Sequence, residues 1–114
     1  MDAFDALADP IRREVLDLLS RRDRPAGELG RAFPQISQPG MSRHLRVLRE
    51  AGLVRVRKHG RRRVYSLHWE GLAPFDAWIA KFRGHWEAEL DSLESFLDNA
   101  HPRPAQPHLR RKRR

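Results

Sequence analysis

Ser37-Gln38-Pro39-Gly40-Met41-Ser42-Arg43-His44-Leu45-Arg46-Val47-Leu48-Arg49-Glu50-Ala51-Gly52 is the stretch on which the fold turns. Met41, Leu45 and Leu48 fall at i, i+4 and i+7, the spacing of a buried helical stripe. Arg43, Arg46 and Glu50 lie roughly opposite it at 100° per residue. Ser37 suits the N-cap, Pro39 the first turn and Gly52 the stop just past the helix end. A short helix that buries one side and offers Gln, Ser and Arg on the other suits the DNA major groove, where those side chains match base-edge donors and acceptors. An ordinary amphipathic surface helix would show the same pattern, so the flanking sequence must separate the two.

Upstream, Ala26 to Phe33 reads as a short helix with Leu29 and Phe33 inward, and Pro34-Gln35-Ile36 as a turn. A short helix, a tight turn and an amphipathic helix make helix-turn-helix geometry. Asp9-Pro10 starts an earlier helix, Asp as N-cap and Pro at the first helical position, running to Ser20 with Ile11, Val15, Leu18 and Leu19 buried. Met1 to Ala8 forms a short helical segment with Phe4 and Leu7 on one side, and Arg21 to Pro25 is a polar break.

Downstream of Gly52 the period changes from helical to alternating. Leu53 to Lys58 and Arg61 to Leu67 are β-branched runs around His59-Gly60, which predicts a hairpin turning at those two residues with Val54, Val56, Val64 and Leu67 inward. Charge is distributed unevenly. Residues 1–52 carry a net +1, 53–67 carry +6 with no acid, 68–100 carry −5 and 101–114 carry +6, within a total of +8. Arg57, Lys58, His59, Arg61, Arg62 and Arg63 crowd the hairpin tip. Like charges packed there repel one another unless a polyanion lies nearby, and a phosphate backbone supplies one.

Trp69 to Asn99 is the longest periodic segment, with a helix starting near Ala73-Pro74. Phe75, Trp78, Ile79, Phe82, Trp86, Leu90, Leu93, Phe96 and Leu97 step by three or four. A domain this small cannot cover so long an aromatic stripe with its other helices, so the stripe, with Phe4 and Leu7, is expected to form a homodimer seam. Glu87, Glu89, Asp91, Glu94 and Asp98 make the opposite face acidic, which keeps that side from DNA. Residues 1–99 are therefore read as one domain. Residues 100–114, with three prolines and five consecutive basic residues at the end, are read as a disordered basic tail.

Composition excludes several classes. The chain of 114 residues has no cysteine, so disulfides, thiolate metal sites and cysteine nucleophiles are out. No apolar run reaches signal-peptide or membrane-span length, and a cytoplasmic protein with no membrane partner is expected. The sequence offers no nucleophile-base constellation, no phosphate-cradling glycine loop and no paired carboxylates at recognisable spacing, so it does not read as an enzyme.

The order helix, helix, helix, helix, strand, strand, helix resembles a mainly α winged helix-turn-helix domain, and the motifs resemble the ArsR family of bacterial transcription regulators. Ala8-Asp9-Pro10-Ile11-Arg12-Arg13-Glu14-Val15-Leu16-Asp17-Leu18-Leu19 is similar to the family's ALADPxRxxILxLL opening, and Gly27-Glu28-Leu29 to its xxELA segment. Residues 37–54 resemble its SQPxVSxHLxVLxxAGLV signature closely, and Gly60 to Leu67 its GRxxxYxL wing ending. The resemblance spans roughly residues 3–99.

What the resemblance implies is a homodimer that binds palindromic double-stranded DNA and usually represses, with helix 38–51 in the major groove and wing 57–63 on the backbone or in the minor groove. The family's base-contacting positions fall on Gln38, Pro39, Gly40, Ser42 and Arg43. Pro39 and Gly40 depart from the usual polar choice and offer only close packing or a backbone contact. Ser37, Arg46 and Arg49, with the basic wing residues, are the expected phosphate contacts, and His44 is expected to pack.

Many members of the family release DNA on binding a metal. The cysteine site on the third helix is absent. The second type of site needs an Asp-x-His pair and a distant His pair or His-Glu pair, whereas this chain has Asp76 with Trp78, then Glu89 and Ser92. His85 and Glu89 form at most half a site. No metal or other cofactor is expected. A metal- or ligand-responsive sensor of the same family, or a nucleic-acid-binding module without sequence preference, is the competing reading.

Overall fold

The computed structural model describes residues 2–100; the basic tail anticipated from the sequence lies outside the described residues, apart from Ala100. The element order is α1 (Ala3–Ala6), α2 (Pro10–Arg21), β1 (Arg24–Pro25), α3 (Ala26–Ala32), α4 (Gln38–Glu50), β2 (Val54–His59), β3 (Arg62–Leu67), a 3-10 turn (Trp69–Leu72) and α5 (Ala73–Ala100). The chain divides into two compact units, one ending at Trp78 and one beginning at Ile79.

The first unit is a helical core with a sheet at its side. Val15 of α2, Leu29 of α3, Leu48 of α4 and Leu53 just past α4 are its fully buried centre. Met41 and Leu45 join them, so the i, i+4, i+7 stripe of the opening helix is the buried one. In α2 the stripe is Val15, Leu16 and Leu19; Leu16 was not foreseen, and Ile11 and Leu18 are only half-buried. Helix α1 is a single turn shorter than the sequence suggested. Asp2 caps it in a reciprocal box, each of Asp2 and Asp5 accepting the other's backbone N–H.

The caps explain where the longer helices begin and end. Asp9 Oδ1 accepts from the N–H groups of Ile11 and Arg12, 2.7 and 3.2 Å, with Pro10 in the first turn. Ser37 Oγ accepts from Gly40 N–H at 3.1 Å. At its C-terminal end α4 closes in a Schellman motif: Gly52 N–H donates to the Arg49 carbonyl and Leu53 N–H to the Leu48 carbonyl, with Gly52 at φ 77°. The wing strand β2 begins two residues later.

The sheet has three strands in the order β1-β3-β2, all antiparallel, where the sequence indicated only a hairpin. Two residues bounded by Pro25 carry too little pattern to be recognised as a strand, and proline is tolerated there because β1 is an edge. Two details of the hairpin are corrected. His59 pairs with Arg62, so the turn is Gly60-Arg61 rather than His59-Gly60. Gly60 has φ 64° and Arg61 a negative φ, the order of a type II′ turn that follows the twist of the strands. The register also pairs Val54 with Leu67 and Val56 with Tyr65, which places Val64 on the other face, opposite Arg57 and beside Pro25. The core face of β3 is therefore Tyr65 and Leu67, and Tyr65 is the buried member that the expected alternation missed.

The 3-10 turn before α5 also went unforeseen. Phe75, near the start of α5, packs against the core, and Phe4 stacks edge-on against it and against Trp78, with ring centroids 4.8 and 6.1 Å away. The second unit is, among the described residues, the remainder of α5.

Candidate nucleic-acid interface

Helix α4 buries one edge and exposes the other. Gln38, Pro39, Ser42 and Arg43 are exposed, Gly40 is half-buried, and Arg46 and Arg49 are exposed on the same helix. The first turn is unusually poor in free backbone donors. Pro39 has no N–H, and that of Gly40 is taken by Ser37 Oγ, leaving the N–H groups of Ser37 and Gln38 as the open ones. A Cβ on Gly40 would stand 3.0 Å from Ser37 Oγ and 3.2 Å from Ile36 Cγ2, so glycine there serves the cap. The Ser37 hydroxyl, having accepted from Gly40, still has its own proton to donate outward.

His44 is half-buried. Arg12 Nη1 donates to its Nδ1 at 3.3 Å, and since a guanidinium can only donate, the ring is held by its inner nitrogen. The same Arg12 donates through Nε to the Ala6 carbonyl at 2.6 Å and through Nη2 to the Asp5 carbonyl at 3.3 Å. Arg12 thereby satisfies the C-terminal carbonyls of α1 and steadies α4. The sequence analysis gives it no role, although it stands at the arginine of the ALADPxRxxILxLL opening.

The hairpin tip is basic on both faces. Lys58 pairs with Arg63 across the strands on one face and His59 with Arg62 on the other, and Arg61 sits in the turn. All five are exposed, with no acidic partner among the described residues. Arg57 differs: its Nη1 donates to Asp23 Oδ2 at 2.8 Å, pinning β2 to the loop before β1. Arg57 thus has a structural partner that the sequence reading did not give it. Near the base of the sheet, Glu28 takes Arg22 at 2.8 Å and Arg24 at 3.3 Å. The Arg22 hydrogen bond, with further help from Arg24, holds the Glu28 carboxyl below the usual carboxylate range.

An exposed polar helix edge, capped at Ser37 and joined through Gly52 and Leu53 to a basic hairpin, is the arrangement of a winged helix-turn-helix reader. Comparison with known proteins agrees. Residues 7–57 match a family of helix-turn-helix domains. The chain is 38% identical over 97 residues to the HTH-type transcriptional regulator Rv2034 of Mycobacterium tuberculosis, covering 85% of this chain and 87% of that one. It is 36% identical over 89 residues to the transcriptional repressor SdpR of Bacillus subtilis, covering 78% and 98%. A crystal structure of an ArsR family transcriptional regulator superposes with a TM-score of 0.66 at 37% identity, over 74% of this chain and 91% of that one.

The chain belongs to the ArsR family of transcriptional regulators.

It is thus a DNA-binding regulator of transcription, of a family that is not enzymatic. The regulator's remaining polar hub lies where the wing meets α5. His68 Nδ1 donates to the Gly52 carbonyl at 2.9 Å, and its backbone N–H donates to the Leu53 carbonyl. Its Nε2 lies 2.9 Å from Arg55 Nη2 and 3.0 Å from Glu70 Oε2. Gly71 packs directly on the Gly52 carbonyl. Neither His68 nor Gly71 was singled out from the sequence, because nothing in local pattern marks a residue whose partner is sixteen or nineteen positions away. His85 and Glu89 face each other at 3.8 Å and are well exposed, and among the described residues no group of three or more His, Asp or Glu gathers around one point. No helix among them is long and apolar enough to cross a membrane.

Proposed function

We propose that the regulator represses transcription by binding a palindromic operator as a homodimer, with α4 in the major groove and the wing on the flanking backbone or in the adjacent minor groove. The observation that carries the reading is the exposed set Gln38, Ser42 and Arg43 on a helix whose other edge is buried through Met41, Leu45 and Leu48. Gln can pair bidentately with adenine and Arg with guanine. Pro39 and Gly40 contribute close approach, since neither has an outward N–H to give. Ser37, Arg46, Arg49, Lys58, His59, Arg61, Arg62 and Arg63 supply phosphate contacts, and Arg57 reaches one only by sharing its guanidinium with Asp23.

The dimer rests on α5. Trp78, Ile79, Phe82, Trp86, Leu90 and Leu93 are all exposed, Trp86 by 64%, and Phe4 is exposed with them. Aromatic surface on this scale marks a protein interface. Leu7 and Phe75 belong to it only at their edges, because both already pack against the core.

The test is Arg43→Ala, assayed on the chain's own upstream DNA and on a random duplex. Loss of a guanine contact should weaken specific binding by about 1–3 kcal/mol and leave random binding nearly unchanged. Equal losses on both would remove base reading from Arg43.

A further inference from the structure

Beside the wing, a cleft of about 570 Å³ opens between the start of α3 and the hairpin tip. Its walls include Gly27, Glu28, Arg31, Arg61, Arg62 and Arg63. Four arginines thus border one open concave space with one carboxylate, Arg62 and Arg63 from opposite faces of β3. That carboxylate is spoken for: Glu28 already holds Arg22 and Arg24. None of the four cleft arginines has an acidic partner among the described residues. Arg31 lies over Gly27, where even a Cβ would stand 3.4 Å from its Nη1, so the absence of a side chain at 27 keeps that wall open.

Like charges gathered in one place repel one another, and an anion with several negative oxygens relieves that repulsion. The planar guanidinium fork matches phosphate oxygens in pairs, which a chloride ion cannot exploit. The cleft also has the volume of a small-molecule site, generally about 300–1,000 Å³, rather than that of one backbone phosphate.

We propose that this cleft binds a free oligophosphate-bearing small molecule through Arg31, Arg61, Arg62 and Arg63. Binding as such is independent of the DNA reading; the consequence rests on it. Arg61 to Arg63 are the same groups the wing would place on the DNA backbone, so ligand and duplex compete for them, and a rise in the ligand releases the regulator from DNA.

Inorganic tripolyphosphate is the probe, titrated calorimetrically into the full chain at physiological salt. Saturable binding of one ligand per chain is expected. Arg31→Ala should weaken it about tenfold, the equivalent of one charge-assisted hydrogen bond. Gly27→Leu, which fills the cleft without changing charge, should weaken it as well. Arg21→Ala removes one charge elsewhere on the surface and should leave it intact. The proposal is overturned if tripolyphosphate does not saturate, or if Arg31→Ala does no more than Arg21→Ala, which would assign the attraction to overall charge. It is also overturned if Arg31→Ala weakens binding to a mixed-sequence duplex while tripolyphosphate finds no site. Binding that needs Arg31 yet fails to displace that duplex keeps the cleft and removes the wing from DNA contact.

Discussion

The carbonyl of Gly52 occupies the space in which a Cβ on Gly71 would have to stand. The two residues close the joint between the end of α4, the base of the wing and the turn that leads into α5, and the obstruction is backbone rather than a side chain that could swing away. Gly71→Ala should therefore destabilise the fold by about 1–3 kcal/mol, as overpacking of a fixed site does. Its urea midpoint should fall clearly below wild type, and an unchanged midpoint would show that the joint can open.

Asp9 gives a pH dependence. Burial raises its carboxyl, but the N–H groups of Arg12 and Ile11, with the positive charge of Arg12, more than offset that and hold it below its ordinary value. A carboxylate depressed in the folded state stabilises above its unfolded value, near 3.9, and that contribution fades as pH falls through the folded value. Asp9→Ala should cost about 1 kcal/mol at neutral pH, as loss of an N-cap does. The gap from wild type should close in acid below pH ~4; a gap constant with pH would point to packing alone.

For the wing, Arg61→Ala combined with Arg62→Ala should flatten the dependence of DNA affinity on salt. Each lost phosphate contact reduces the slope of log K against log salt by about 0.9. The measurement is binding at several salt concentrations, and an unaltered slope would take the tip off the backbone.

Trp86→Glu addresses the seam. The side chain is among the most exposed aromatics in the chain, so the substitution leaves the buried core untouched. Sedimentation should show monomers where the parent shows dimers, with helical content preserved; dimers that persist would place the interface elsewhere.

Much of this was legible in the sequence because the decisive signals are local. Ser37, Pro39 and Gly52 announce the limits of α4, and the spacing of Met41, Leu45 and Leu48 gives its buried edge. The change of period after Gly52 marks the hairpin. What escaped depends on partners far along the chain. β1 exists only because β3 lies beside it, and Tyr65 is buried because it pairs with Val56 on the core face, the place the sequence analysis gives to Val64. Arg57 looked like one more basic tip residue until Asp23, thirty-four positions earlier, was found against it. For the interface itself, residue type is readable from sequence, but the internal use of the Gly40 N–H is a matter of geometry.

The Schellman closure of α4 has a bearing on how the chain can be altered. Because Leu53 is at once the last hydrogen-bond donor to the helix and a fully buried core residue, α4 and the hairpin are spliced without slack. An extra residue inserted at Gly52 would swing the whole wing, whereas lengthening the loop at Gly60-Arg61 would change only its reach. The turn is where such a scaffold can accept new length, and grafting at that point alone should vary its grip on the backbone while preserving the angle at which α4 is presented.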